Sequence, residues 1–126
     1  MSEVYAFISK MLAPVHTNSK DIASLEMVAD EIFTNVMSYA YEESADKWVM
    51  LELSLEGEVV TMSFTDGGRP FDPLNVLKPD ISLPVNEREM GGLGIYIVRS
   101  VMDDMRYVRE GDRNILTTRK RIKKDT

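Results

Sequence analysis

The sequence contains no cysteine, which excludes disulfides and thiolate-held metal ions. It has one histidine, His16, in a loop, where a lone histidine is usually just exposed, so it is given no role. No apolar run approaches the roughly 20 residues that a membrane-spanning helix needs, and Met1 is not followed by a signal-peptide core. A cytoplasmic location, with no membrane contact, is the expectation. Positive charge is also short: 15 Lys and Arg face 21 Asp and Glu, for a net charge of −6. That balance argues against a nucleic-acid binder relying on broad phosphate neutralisation. The basic cluster Arg119, Lys120, Arg121, Lys123 and Lys124 reads as a solvated edge strand and tail. Internal repeats, low-complexity stretches and linkers are missing too, so the 126 residues form one domain, 1–126. A chain of that length buries about two-thirds of its unfolded surface.

What is present is an ordinary globular composition, 44% hydrophobic and 29% charged. Val4, Phe7, Ile8, Met11 and Leu12 make a short amphipathic helix, stopped by Ala13-Pro14. The longest helix runs from Asn18 to Glu43, with Ile22, Leu25, Ala29, Ile32, Val36 and Ala40 on one apolar stripe. Asn18 followed by Asp21 can cap it, and it ends around Tyr41 to Ser44. Val49, Leu51, Leu53 and Leu55 alternate with Met50, Glu52 and Ser54; Glu56-Gly57-Glu58 then turns into Val60, Met62 and Phe64. This is an antiparallel hairpin with one buried face. From Asp66 to Gly94 glycine and proline interrupt the pattern, and such a long irregular segment is usually functional or mobile. Ile95, Ile97, Val98, Val101 and Met102 predict a third helix. Met105 to Arg109 and Asn114 to Arg121 predict two more strands, turning at Glu110-Gly111-Asp112-Arg113. The order is that of an α+β two-layer sandwich, helices packed on one face of a mixed, mostly antiparallel sheet.

Three motifs carry chemistry. Glu31 and Asn35 stand four residues apart on the long helix, at the flank of its apolar stripe. A mid-helix Asn costs about 0.5–0.7 kcal/mol against Ala and so needs a reason. Its carbonyl could ligate Mg²⁺, and Glu31 could take a proton from an attacking hydroxyl or water. Taken alone, a solvated glutamate and a backbone-bonded asparagine are the simpler reading. Asp66-Gly67-Gly68 directly follows a strand, where an aspartate can accept a hydrogen bond from a buried heterocyclic amine. Alone, it is more simply a turn. Met90-Gly91-Gly92-Leu93-Gly94 opens a helix, whose free N–H groups and dipole suit a polyphosphate. It is no dinucleotide fingerprint and no P-loop, since neither a βαβ unit nor a Gly-Lys-Ser/Thr accompanies it.

In this order, the three motifs resemble those of the GHKL ATPases. That superfamily includes gyrase, a heat-shock chaperone, histidine kinases and the MutL mismatch-repair proteins. The N box matches Glu31 to Asn35, the first glycine box Asp66-Gly67-Gly68 and the second Gly92-Leu93-Gly94. Within the superfamily the chain looks like the anti-sigma-factor serine kinases of the RsbW and SpoIIAB type. The resemblance lies in Asp30-Glu31-Ile32-Phe33-Thr34-Asn35 with Tyr39-Ala40-Tyr41, in Pro70-Phe71-Asp72-Pro73, and in the run from Gly91 to Arg99. It departs from the pattern at Ser38, where many relatives have His, and at Pro70, where many have a second glycine. The strand that usually precedes the first helix is not read in this chain.

The resemblance implies an ATP site between helices and sheet under a lid from about Phe71 to Met90. Asn35 would bind Mg²⁺, Asp66 would read the adenine amine, and Gly68 would line the base. Gly91, Gly92, Leu93 and Gly94 would form the phosphate turn. Arg88 in the lid would be a phosphate contact, and Asn114 or Thr117 would assist at the adenine. Glu31 would activate a serine hydroxyl on a protein substrate. The function implied is an ATP- and Mg-dependent serine protein kinase acting as an anti-sigma factor, with a sigma factor and a STAS-domain antagonist as partners. A homodimer is among the implied states. The alternative is an ATP-binding interaction module with little or no kinase activity; a histidine-kinase domain lacking its phospho-acceptor helix ranks below both.

Overall fold

The structure is a computed structural model and describes residues 2–75 and 92–124. Helix α1, Ser2–Leu12, buries Ile8 and Leu12. Pro14 supplies no N–H to continue the ladder, and the chain tightens into a 3₁₀ turn at Ala13–Val15. His16 follows with φ of 57° and is exposed.

Helix α2, Ser19–Tyr39, places Leu25, Val28, Ala29, Ile32 and Val36 in the core. Asn18 caps it, its Oδ1 accepting the Asp21 N–H at 2.8 Å. That satisfies one of the orphan donors of the first turn. The helix ends earlier than its apolar stripe predicts, with Ala40 as the C-cap. The physical reason is a donor from elsewhere in the chain. Arg69 gives its N–H to Ala40 O at 2.8 Å and its Nε–H to Tyr39 O at 3.0 Å, so the last carbonyls are satisfied without another turn. Asn18→Ala is expected to cost about 1 kcal/mol, read as a lower urea midpoint at unchanged slope.

Strands β1 (Val49–Glu56), β2 (Val59–Asp66), β3 (Asp104–Glu110) and β4 (Arg113–Arg121) form one sheet in the order β1-β2-β4-β3. All three pairings among the described strands are antiparallel, where a mixed, mostly antiparallel sheet was expected. Gly57 and Gly111, both with φ of +61°, turn the two hairpins, a conformation that costs glycine little. Helix α3, Gly92–Val101, lies beside α2, and the helices cover one face of the sheet. The register aligns side chains in cross-strand rows on that face. Leu53, Met62, Thr118 and Met105 form one row, and Leu51, Phe64, Leu116 and Tyr107 the next. The last is Val49, Asp66, Asn114 and Arg109. The core is therefore apolar along most of the sheet and turns polar at one end.

Phe64 sits at the boundary, 1% exposed, edge-on to Phe33 of α2 with ring centroids 5.9 Å apart. Burying a side chain of that size contributes about 1.5–3 kcal/mol. Asp66 and Asn114, one step further along, are equally buried, and polar groups at that depth are costly unless hydrogen-bonded. Their partners define the site.

Candidate functional site

Helix α2 contributes Glu31 and Asn35, one turn apart. Asn35 is 1% exposed, deeper than its place at the stripe's flank suggests. Its Nδ2 donates to the Glu31 carbonyl at 2.7 Å and to Glu31 Oε2 at 2.8 Å. Both bonds use the nitrogen, and they fix which way the amide faces. Among the described residues, Asn35 Oδ1 is the buried side-chain oxygen or nitrogen left without a hydrogen-bond partner. An unsatisfied buried acceptor costs roughly 1–3 kcal/mol, so an oxygen-seeking cation fits this position.

Helix α3 meets the same pair. It opens at Gly92, and the first N–H groups of any helix lack intrahelical partners. At Gly94 a Cβ would overlap the Glu31 carboxylate, with Oε1 only 2.6 Å away. Glycine here lets α3 close on Glu31, a reason distinct from the phosphate contact that the motif suggests. Gly91 and Arg88, the remainder of the predicted phosphate turn and lid, lie outside the described residues, as do 76–90.

The second half of the site is the polar row at the sheet's end. Asp66 is the last residue of β2, 2% exposed. Its Oδ1 accepts the Gly68 N–H at 2.9 Å and Asn114 Nδ2 at 2.9 Å. Gly68 runs hard against the end of α2: a Cβ on it would lie 2.5 Å from Ala40 O and 2.8 Å from Ala40 Cβ. Tyr41, just past α2, braces the neighbouring residue, accepting the Gly67 N–H and donating to Trp48 O, each at 2.8 Å. Of the two residues proposed to assist at the base, only Asn114 faces the helices beside Asp66. Thr117 points to the other side of the sheet, where its hydroxyl meets that of Ser63 at 3.3 Å.

Tyr107 and Arg109 of β3 were not singled out by sequence, yet both hold Asn114. The Tyr107 hydroxyl donates to Asn114 Oδ1. Arg109 Nη1 donates to the same oxygen at 3.1 Å and to Gly68 O at 2.8 Å. Burial pushes the Tyr107 hydroxyl above the ordinary tyrosine value, further favouring the protonated, donating form. The one sequence signal available was Asn114 itself, an amide at the start of a strand pattern that disfavours Asn. Nothing in the local sequence marks Arg109, which joins nearby Asn114 to Gly68 far back in the chain.

Leu74 links the two halves. Asp72 Oδ1 accepts its N–H at 2.8 Å, and its carbonyl accepts from Arg99 of α3. Among the described residues no group of three or more His, Cys, Asp or Glu could hold a metal ion, so among them a cation here would rest on Asn35 Oδ1 rather than on a carboxylate cluster. No described helix is long and apolar enough to cross a membrane.

In sequence and in fold the chain is similar to known proteins. Serine-protein kinase RsbW of Bacillus cereus is 27% identical over 103 residues, covering 79% of this chain and 64% of that protein. Serine/threonine-protein kinase BtrW of Bordetella bronchiseptica is 28% identical over 94 residues, covering 75% and 66%. The chain thus spans just under two thirds of the length of both relatives. Two solved structures share the fold. The histidine kinase domain of the blue-light activated kinase of Erythrobacter litoralis has a TM-score of 0.55 at 20% identity, over 81% of this chain and 45% of that one. Acinetobacter baumannii histidine kinase AdeS has a TM-score of 0.56 at 14% identity, over 80% and 47%. The model of the histidine kinase-like ATPase domain matches residues 1–120. With nearly the whole chain inside that match and the α+β fold to go with it, the protein belongs to the histidine kinase-like ATPase domain family.

Proposed function

We propose that this chain binds ATP with Mg²⁺ and transfers the γ-phosphoryl group to a serine of a protein substrate. The observation that carries the reading is the unpartnered Asn35 Oδ1, held in place by two bonds from its own nitrogen beside the Glu31 carboxylate. Asn35 Oδ1 would be the protein ligand to Mg²⁺. Bound there, the ion would neutralise phosphate charge, the main requirement of phosphoryl transfer. Glu31 would accept the proton of the attacking hydroxyl. Asp66, acceptor-only when ionised, would receive the adenine amine, and the opening turn of α3 would face the phosphates.

By likeness to proteins named RsbW and BtrW serine kinases, the substrate is a small STAS-domain antagonist and the regulated partner a sigma factor. A second reading has its own support. Glu31 Oε2 already accepts from Asn35 and the carboxylate is backed by Gly94; a carboxylate so engaged suits a module that binds ATP as a ligand and transfers slowly or not at all.

Titrating ATP and ADP with and without Mg²⁺ tests the common core of both readings. Wild type is expected to bind ATP more tightly with Mg²⁺. Asn35→Ala is expected to lose that gain, about tenfold for one charge-assisted contact. A Mg²⁺ effect of equal size in the variant rules out Asn35 as the ligand, and no nucleotide binding by wild type rules out the site. Labelling of an antagonist protein by radioactive ATP then separates kinase from module.

A further inference from the structure

Resting on the ATP reading above, we propose that Asn114 is a positioning residue for base recognition, one that acts through Asp66 and does not touch the base. Every polar atom of its side chain is already used. The amide nitrogen has two protons, one given to Asp66 Oδ1 at 2.9 Å and the other to Arg69 O at 2.8 Å. The amide oxygen takes the Phe71 N–H at 3.2 Å, the Tyr107 hydroxyl and Arg109 Nη1. A side chain that is 3% exposed with no donor left has nothing to offer a purine.

What it offers is orientation. Asn114 and the Gly68 N–H both donate to Oδ1 of Asp66, so neither of these two bonds uses Oδ2. Two donors on one oxygen lock the carboxylate's rotation and leave the other oxygen as an aimed acceptor. An aimed acceptor selects a donor, so the site favours a base with an exocyclic amine over one presenting a carbonyl or a hydrogen at the same position. The clamp also holds the segment beneath the base. Asn114 ties Arg69 and Phe71, and Arg109, itself bonded to Asn114, ties Gly68, so the loop after β2 and the acceptor are set together.

Binding of ATP and of purine riboside triphosphate, which carries hydrogen in place of the 6-amino group, provides the test. Wild type is expected to prefer ATP by about tenfold, as for a hydrogen bond to a charged group. In Asn114→Ala that preference is expected to fall to about twofold or less, because only ATP uses the aimed acceptor, whereas any loosening of the loop affects both nucleotides alike. A merely structural role would weaken both nucleotides by the same factor and keep the ratio, and that result overturns the proposal. An unchanged ratio with unchanged affinities overturns it too. Tyr107→Phe removes one donor from Asn114 and leaves no cavity, so it decides the matter if Asn114→Ala does not fold. A partial fall in the ratio supports the proposal, and full retention refutes it. Wild type that binds neither nucleotide would sink the ATP reading itself, whereas wild type that binds both equally would sink base selection by Asp66 alone.

Discussion

Glu31→Ala is expected to lower phosphoryl transfer to a protein substrate by about 10²–10⁴-fold, the usual contribution of a positioned base. Affinity for Mg-ATP should barely change. The reason for the split is in the helix. Asn35 donates to the main-chain carbonyl of residue 31 at 2.7 Å, a bond that survives loss of the side chain, so Oδ1 keeps its place. Single-turnover labelling and equilibrium binding on the same preparations measure the two quantities apart. Gly94→Ala should reproduce the loss by another route. The added methyl overlaps the Glu31 carboxylate, which is the end of a flexible side chain and can swing aside at little cost to folding. Alanine is the better helix former by up to about 1 kcal/mol, so the thermal midpoint should hold or rise while transfer falls. The double variant should be no slower than Glu31→Ala alone, because both changes act through one carboxylate. Additive losses would mean that Gly94 serves the site in some way that does not involve Glu31.

Gly68→Ala should have the opposite profile. Its methyl would meet Ala40 O at 2.5 Å and Ala40 Cβ at 2.8 Å, and the end of a helix cannot swing aside as a carboxylate can. Overpacking of this kind costs about 1–3 kcal/mol, equivalent to a drop of roughly 4–12 °C in a domain of this size. Three bonds are placed at risk with it. These are Arg69 N–H to Ala40 O, Gly68 N–H to Asp66 and Arg109 to Gly68 O. Nucleotide affinity should therefore fall along with stability. A calorimetric midpoint within about 1 °C of wild type would show that the loop yields more easily than its contacts suggest.

The two glycines sit in similar motifs and would be read alike from sequence. Gly68 faces backbone and Gly94 faces a carboxylate, so the same substitution is structural at one and functional at the other. That difference is three-dimensional. It depends on α2 ending at Tyr39, which the apolar stripe alone does not show, since Ala40 and Tyr41 continue the pattern and are buried. What stops the helix is Arg69, about thirty residues away in the chain.

Much was nonetheless legible locally. The alternation from Val49 to Leu55 and from Val60 to Phe64 gives each strand one apolar face, and the short glycine turn between them joins the two as a hairpin. The stripe on α2 and the cap at Asn18 follow from the same kind of short-range rule. The spacing of Glu31 and Asn35 alone sets them one helical turn apart. Sequence by itself thus determined the elements, the buried face of each and the adjacency of the acid and the amide, all of which are set by neighbours within a few residues. Only the tertiary structure decided that Asn35 Oδ1 is left without a partner, that Asn114 and not Thr117 stands beside Asp66, and that Tyr107 and Arg109 hold it there. Those outcomes depend on strand register and on how closely α3 approaches α2, and both are settled by contacts between residues far apart in the chain.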